Sequence, residues 1–189
     1  MISTIVLITS LLLILLITVV VGRSIITKQQ IFGRPPIPVF FFLLAKMLVV
    51  VNLTFLLLKG LKIDVYRIFI PVELIDIIAL AFLITGTVIL FLSTFRLNTD
   101  LVFGLSSSEN HKLQTKGIYS ISRHPFYLGF IFILFSSCLL NPNYINILAF
   151  IGAWIIHHFI MIKEEQFLTS QYGDEYRAYA KRVNRYLSF

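Results

Sequence analysis

Residues 111–129 read HKLQTKGIYSISRHPFYLG, and Lys163-Glu164-Glu165 follows further along the chain. Two histidines, an arginine and a proline at a helix start form one polar island in a mostly apolar sequence. Burying polar groups beside a bilayer costs free energy that lipid does not return. The island therefore reads as an active site. Pro125 lacks a backbone donor and suits the first turn of a helix. Arg123 and His124 then stand at the N-terminal mouth of that helix, where free amides and the dipole favour an anion. Arg123 adds a fork able to grip a carboxylate or phosphate with two bonds. Gly117 permits a positive φ or a close backbone approach ahead of Tyr119, and Gly129 admits a ligand or a neighbouring helix. Tyr119 and Tyr127 have faces on which a flat ligand could stack. Glu164 and Glu165 project about 100° apart on a helix, so one can face the site while the other faces solvent or a basic partner.

The ordinary alternative is an interfacial belt, since Arg, His and Tyr anchor many membrane helices at headgroup depth. Two adjacent acids at the end of an apolar run argue against that reading. His157-His158 offers no metal site: neighbouring helical histidines chelate one ion poorly and no third ligand stands at i+4. Lys46, Asn52, Glu73 and Asp76 lie in or near apolar runs and read as structural, with Lys46 long enough to snorkel. No G-x-G-x-x-G or Walker sequence is present, so a Rossmann or P-loop nucleotide site is unsupported.

Elements of membrane length must position these residues. The chain has 189 residues, 58% hydrophobic and 13% charged, with mean hydropathy +0.90. That composition excludes an ordinary soluble domain. The formal charge of +7 reflects topology and contact with anionic lipid, not a nucleic-acid footprint. Cys138 is the single cysteine, which excludes an intramolecular disulfide and a cysteine-based zinc site. Apolar runs cover residues 2–22, 38–58, 70–95, 125–140 and 144–162. Asn141-Pro142-Asn143 marks a tight turn between the last two. The fourth run is short for a span and reads as part of a hairpin. Gly173 looks like a helix cap ahead of a new start at Asp174-Glu175. Tyr172, Tyr176 and Tyr179 then recur at helical spacing in a charged tail, which either lies on the membrane surface or folds back to close the site. The expected fold is an all-α integral membrane protein of about five transmembrane helices, with that tail completing a cofactor site. Residues 1–95 form three N-terminal helices and residues 96–189 the catalytic region of one domain.

Loops 23–37 and 96–124 and the tail hold three, four and five Lys/Arg, against Lys59, Lys62 and Arg67 on the other side. Positive-inside places the polar island and the C-terminus in the cytoplasm and the N-terminus outside.

The pattern His111-x-Leu113-x3-Gly117-x-Tyr119-x3-Arg123-His124-Pro125-x-Tyr127-x-Gly129, then Glu164-Glu165, then Tyr172-Gly173-x2-Tyr176-x2-Tyr179, resembles the isoprenylcysteine carboxyl methyltransferase family. That family sits in a wider group with the phospholipid N-methyltransferases. The resemblance covers residues 96–186. It implies S-adenosylmethionine as methyl donor, bound between the last two helices and the tail, and a lipid-like or prenylated acceptor from the bilayer. It implies that His111, Leu113, Gly117, Tyr119, His124, Pro125, Tyr127 and Glu164 hold the cofactor. Arg123 with Glu164 or Glu165 lies near the reacting group, and Arg123 and Arg185 meet the acceptor. A carboxylate acceptor needs a positioning cation and no base, whereas an amine must first lose a proton; both chemistries are open. A membrane sterol or steroid reductase using NADPH shares the Arg-His-Pro-x-Tyr-x-Gly stretch. Those enzymes carry Asn after the Pro and an acid after the Gly, where this chain has Phe126 and Phe130. A non-enzymatic lipid or partner binder is the third reading.

Overall fold

The computed structural model describes residues 1–27, 34–63, 65–97 and 113–188. Among the described residues, five α-helices follow one another: α1 (Ile2–Thr27), α2 (Val39–Gly60), α3 (Glu73–Leu97), α4 (Pro125–Leu140) and α5 (Tyr144–Arg182). A short 3-10 turn, Gly117–Ser120, precedes α4. The chain is an all-α integral membrane protein. Helices α1, α2, α3 and α5 are each long and apolar enough to cross a bilayer, while α4 is a shorter apolar helix of 16 residues. The expectation of about five crossings thus resolves into four helices of full length and a fourth-in-order helix of about 24 Å, short of the ~30 Å hydrocarbon core.

Helices of this kind are apolar on every side, so lipid and protein faces are sorted by packing and not by an amphipathic stripe. Ile8, Leu15, Phe40, Leu74 and Phe159 point outward, as lipid permits. Val6, Leu56, Leu83, Leu90 and Ile133 form a core shared by α1 to α4. The tightest approach is between α3 and α4. A Cβ on Gly129 would lie 2.8 Å from the Gly86 oxygen and 2.9 Å from the Leu90 nitrogen. Gly129 therefore admits a neighbouring helix. Gly129→Ala is expected to cost at least about 1–3 kcal/mol, because the obstruction is backbone and cannot swing aside. A Tm unchanged in detergent would show that the two helices can part without penalty.

At the far end from the polar island, the Asn141-Pro142-Asn143 turn is held from several directions. Asn143 caps α5 by accepting the Asn146 amide at 2.9 Å. Asn146 donates to the carbonyls of Ser137 and Asn141, and Asn141 donates to the Phe55 carbonyl of α2 at 2.8 Å. Asn52 is fully buried there; its backbone oxygen accepts from Ser137 Oγ at 2.8 Å. Glu73 and Asp76 occupy the first turn of α3, where negative charge suits the dipole. These contacts fix the α4–α5 hairpin and hence the relative height of the residues at its other end.

Helix α5 has 39 residues, about 58 Å, twice the hydrocarbon thickness. Its apolar part ends at Ile162, so Glu164 and Glu165 stand where it leaves the apolar layer. Gly173 has φ +51 and bends the helix, the left-handed conformation that glycine adopts without steric cost. The expected break there is present. Beyond the bend the tail returns to the start of α4. The Arg123 amide donates to the Asn184 carbonyl at 3.0 Å and the Ser188 amide to the Ile121 carbonyl at 2.9 Å.

Candidate active site

The α4 mouth, the α5 exit and the returning tail bring the polar island and the two acids together. His124 is the N-cap residue of α4 and Pro125 its first helical residue; both are buried. The ring of His124 lies between the acids, with Nδ1 3.6 Å from Glu164 and Nε2 3.3 Å from Glu165. The anions near this helix start are thus the chain's own.

The acids have different partners. Glu165 accepts four N–H bonds, two from Arg123 and two from Arg185, at 2.7–3.2 Å. Arg123 turns its remaining amino group to the carbonyls of Ala180 and Val183 at 2.8 and 2.9 Å. It therefore ties α4, α5 and the tail through one planar fork. The bonds to Glu165 raise the Arg185 guanidinium above its already high ordinary value. Glu164 accepts from the Tyr127 hydroxyl at 2.6 Å; among the described residues no arginine reaches it. The ring of Tyr127 lies between those of His124 and His157, at centroid distances of 5.8 and 5.5 Å.

The tail supplies a wall. Tyr176, Tyr179 and Val183 form a small core against which Leu113 and Tyr172 pack. The Tyr179 hydroxyl donates to the Tyr119 carbonyl at 2.6 Å. Tyr119 is buried; burial first, then Tyr179 and Glu164, raise its phenol well above the ordinary range. Gly117 opens the 3-10 turn with φ +67 and faces open space. Of the two expected roles of the tail, the fold-back is the one adopted.

Arg123, His124, Pro125, Tyr127, Glu164, Glu165 and Arg185 thus meet in one place, with Leu113, Gly117 and Tyr119 on its border. His111 lies outside the described residues. Ser122 is a site residue that the motif reading passed over. It is fully buried, accepts from the His124 amide at 3.1 Å and donates to the Arg185 carbonyl at 3.0 Å. Its signal was a serine two residues ahead of the helix-capping histidine. Lys46 does not snorkel freely but reaches across to α5, where its Nζ lies 3.5 Å from His157 Nε2. His158 stacks on Tyr186 and bonds its hydroxyl at 2.6 Å. The adjacent histidines thus have separate partners, and no group of three metal-ligating side chains occurs among the described residues.

Two buried polar atoms face this region without an aligned hydrogen-bond partner, His124 Nε2 and the Tyr176 hydroxyl. Unpaired buried donors and acceptors are costly; both lie on the Glu165 side, His124 Nε2 at 3.3 Å from that acid and the Tyr176 hydroxyl within reach of its charge. The Glu164 side, with a carboxylate and the rings of Tyr127 and His124, is a donor set that fits a polar cofactor with a cationic centre. Glu164, Tyr127, His124 and Tyr119 would hold it.

The chain resembles known proteins over part of its length. It is 35% identical over 109 residues to methanethiol S-methyltransferase 1 of Bradyrhizobium diazoefficiens, covering 52% of this chain and 37% of that protein. It is 35% identical over 77 residues to protein-S-isoprenylcysteine O-methyltransferase of Schizosaccharomyces pombe, covering 40% and 33%. It is 37% identical over 76 residues to protein-S-isoprenylcysteine O-methyltransferase B of Arabidopsis thaliana, covering 40% and 39%. The chain spans well under half the length of each of these relatives. A family model described as phospholipid methyltransferase matches residues 74–175, more than half of the chain, including α4 and α5 as far as Glu175. The chain belongs to the phospholipid methyltransferase family, among relatives that include isoprenylcysteine O-methyltransferases.

Proposed function

We propose that the chain transfers a methyl group from S-adenosylmethionine to a lipid-like acceptor in the membrane, the carboxylate of an isoprenylcysteine-type substrate. The observation that carries this reading is the division between neighbouring acids. Glu165 is saturated by two arginines, whereas Glu164 has Tyr127 and His124 beside it and no arginine among the described residues; burial raises its carboxyl above the ordinary range, and a bound cation would draw out its charge. The cofactor supplies an activated methyl group on a positive sulfur. The chain's own task is to align and to exclude water. Glu164 holds the positive end, with Tyr127 fixing its carboxylate and His124 between the two acids. Arg123 and Glu165 keep the tail closed over the site, so the reaction takes place away from water. A carboxylate nucleophile needs no base, and no proton has to move. Residues 96–189 carry the chemistry, and residues 1–95 form the lipid-facing scaffold. The site and the C-terminus face the cytoplasm and the N-terminus faces outward; protection of an N-terminal tag from an external probe would overturn that placement.

The direct test is thermal stability of the detergent-purified protein with S-adenosylhomocysteine or NADPH. Ligand at a hundred times its Kd adds about 2.7 kcal/mol to the folded state, enough to move Tm by several degrees. S-Adenosylhomocysteine is expected to do so and NADPH to leave Tm unchanged. Stabilisation by NADPH alone would replace this reading with a reductase.

A further inference from the structure

At the membrane end opposite the candidate active site, Lys59, Lys62 and Arg67 surround a polar cavity of about 190 Å³, with Ser3 and Asn141. No acid among the described residues lines it. Lys59 alone has an ordinary explanation, because a cation in the last turn of α2 suits the helix dipole. Lys62 does not. Helix α2 ends in a Schellman turn, in which the Ile63 amide donates to the Leu58 carbonyl at 2.9 Å and the Lys62 amide to the Lys59 carbonyl at 3.2 Å. Lys62 takes the left-handed place in that turn, with φ +59, where glycine is the unstrained residue. A lysine is thus held in a strained conformation at the rim of the cavity. Arg67 arrives on the following loop, which is tied to the α4–α5 turn by the Ile68 amide donating to the Pro142 carbonyl at 2.7 Å.

A second cavity, an apolar groove of about 230 Å³, lies in the seam between α1 and α2. Ser3 lines the polar cavity, and Ser10 and Ile17 line the groove. These residues are spaced by seven, two turns, so both cavities lie along one face of α1. Ser10, Leu13 and Leu56 form the buried floor of the groove, and Ile14, Ile17 and Val50 its half-exposed walls. The hydroxyls of Ser10 and Thr54 donate to the carbonyls of Val6 and Val50 in their own helices, at 2.8 and 2.9 Å, which leaves the groove apolar. From Ser3 to Ile17 is about 21 Å. That spans a headgroup and the hydrocarbon depth of one leaflet, half of the ~30 Å core.

We propose that this seam binds one anionic phospholipid, with its phosphate among Lys59, Lys62 and Arg67 and an acyl chain in the groove. Charge and shape together name the occupant: an anion suits the cations, and an amphiphile of leaflet length reaches both cavities. The site lies apart from the donor and acceptor of the methyl-transfer reading and does not depend on it. A lipid held here clamps α1 to α2 and to the loop that carries Arg67, so its binding adds to the stability of the fold.

The test titrates the delipidated, detergent-held protein with dioleoylphosphatidylglycerol, dioleoylphosphatidylcholine, glycerophosphoglycerol or inorganic phosphate and follows Tm. Phosphatidylglycerol is expected to raise Tm with a midpoint about ten-fold or more below that of phosphatidylcholine. The two chain-free anions are expected to leave Tm unchanged at the same concentrations. Lys62→Gly suits the turn and is expected to fold as well as the wild type, yet to lose most of the preference for phosphatidylglycerol. Thr54→Phe fills the groove and is expected to weaken binding of that lipid. Lys163→Gln removes a cation at the other membrane face and is expected to change nothing. Equal midpoints for the two lipids, a full preference in Lys62→Gly, undiminished binding by Thr54→Phe or an equal loss in Lys163→Gln overturns the proposal. A response to inorganic phosphate as strong as that to phosphatidylglycerol also overturns it, because the occupant is then a free anion.

Discussion

Glu165→Ala is expected to cost about 3–5 kcal/mol and to abolish turnover, because it leaves two guanidinium groups facing one another with no anion between them. Breaking a partly buried ion pair from one side carries a penalty of that size. Here Arg123 and Arg185 both depend on the same carboxylate, whose side chain is 14% exposed. The like charges would separate, and the tail would leave with Arg185. Glu165→Gln keeps the shape and one acceptor oxygen, so its loss should be smaller. Arg123→Lys should resemble the alanine variant more than a conservative change. The guanidinium makes four bonds in one plane, to Glu165 and to two tail carbonyls, and an ammonium cannot span them. Thermal unfolding together with limited proteolysis after α5 reads both effects. A Glu165→Ala protein with native Tm and a protected tail would show that the latch carries no load.

Much of this arrangement was legible in the sequence, for identifiable reasons. Pro125 marks the start of α4 because a residue without an amide proton suits that place. Asn141-Pro142-Asn143 marks the turn, and Gly173 marks the bend that lets the tail fold back. The apolar runs gave every helix start within a few residues, but α5 continues twenty residues past its run, to Arg182. The pairing of particular residues was not legible. Each helix is apolar all round, so hydropathy has no phase from which to deduce that Gly86 meets Gly129 or that Lys46 meets His157. Neighbouring glutamates likewise look identical in sequence. Their separation into an arginine-bound acid and a tyrosine-bound acid depends on where the tail returns, and Arg185 is 20 residues beyond Glu165. Ser122 was hidden for the same reason: its partner carbonyl belongs to Arg185, 63 residues away.

That difference between the acids leads to the second large effect. Glu164→Gln is expected to keep the fold and to lower kcat/KM by about a hundred- to a thousand-fold, the 2.7–4 kcal/mol typical of removing one preorganised electrostatic contact. The amide retains the volume and can still accept from the Tyr127 hydroxyl. The change is therefore confined to charge. A sulfonium loses its positive charge as the methyl group leaves, so removing the anion should weaken binding of the charged donor more than binding of its neutral product. S-Adenosylmethionine affinity should fall by ten-fold or more, while S-adenosylhomocysteine affinity changes little. Tyr127→Phe removes one hydrogen bond and should cost about ten-fold. Equal loss of affinity for donor and product in Glu164→Gln would mean that Glu164 shapes the pocket without sensing the sulfonium. The charge would then have to be met by aromatic faces such as Tyr119 and Tyr127.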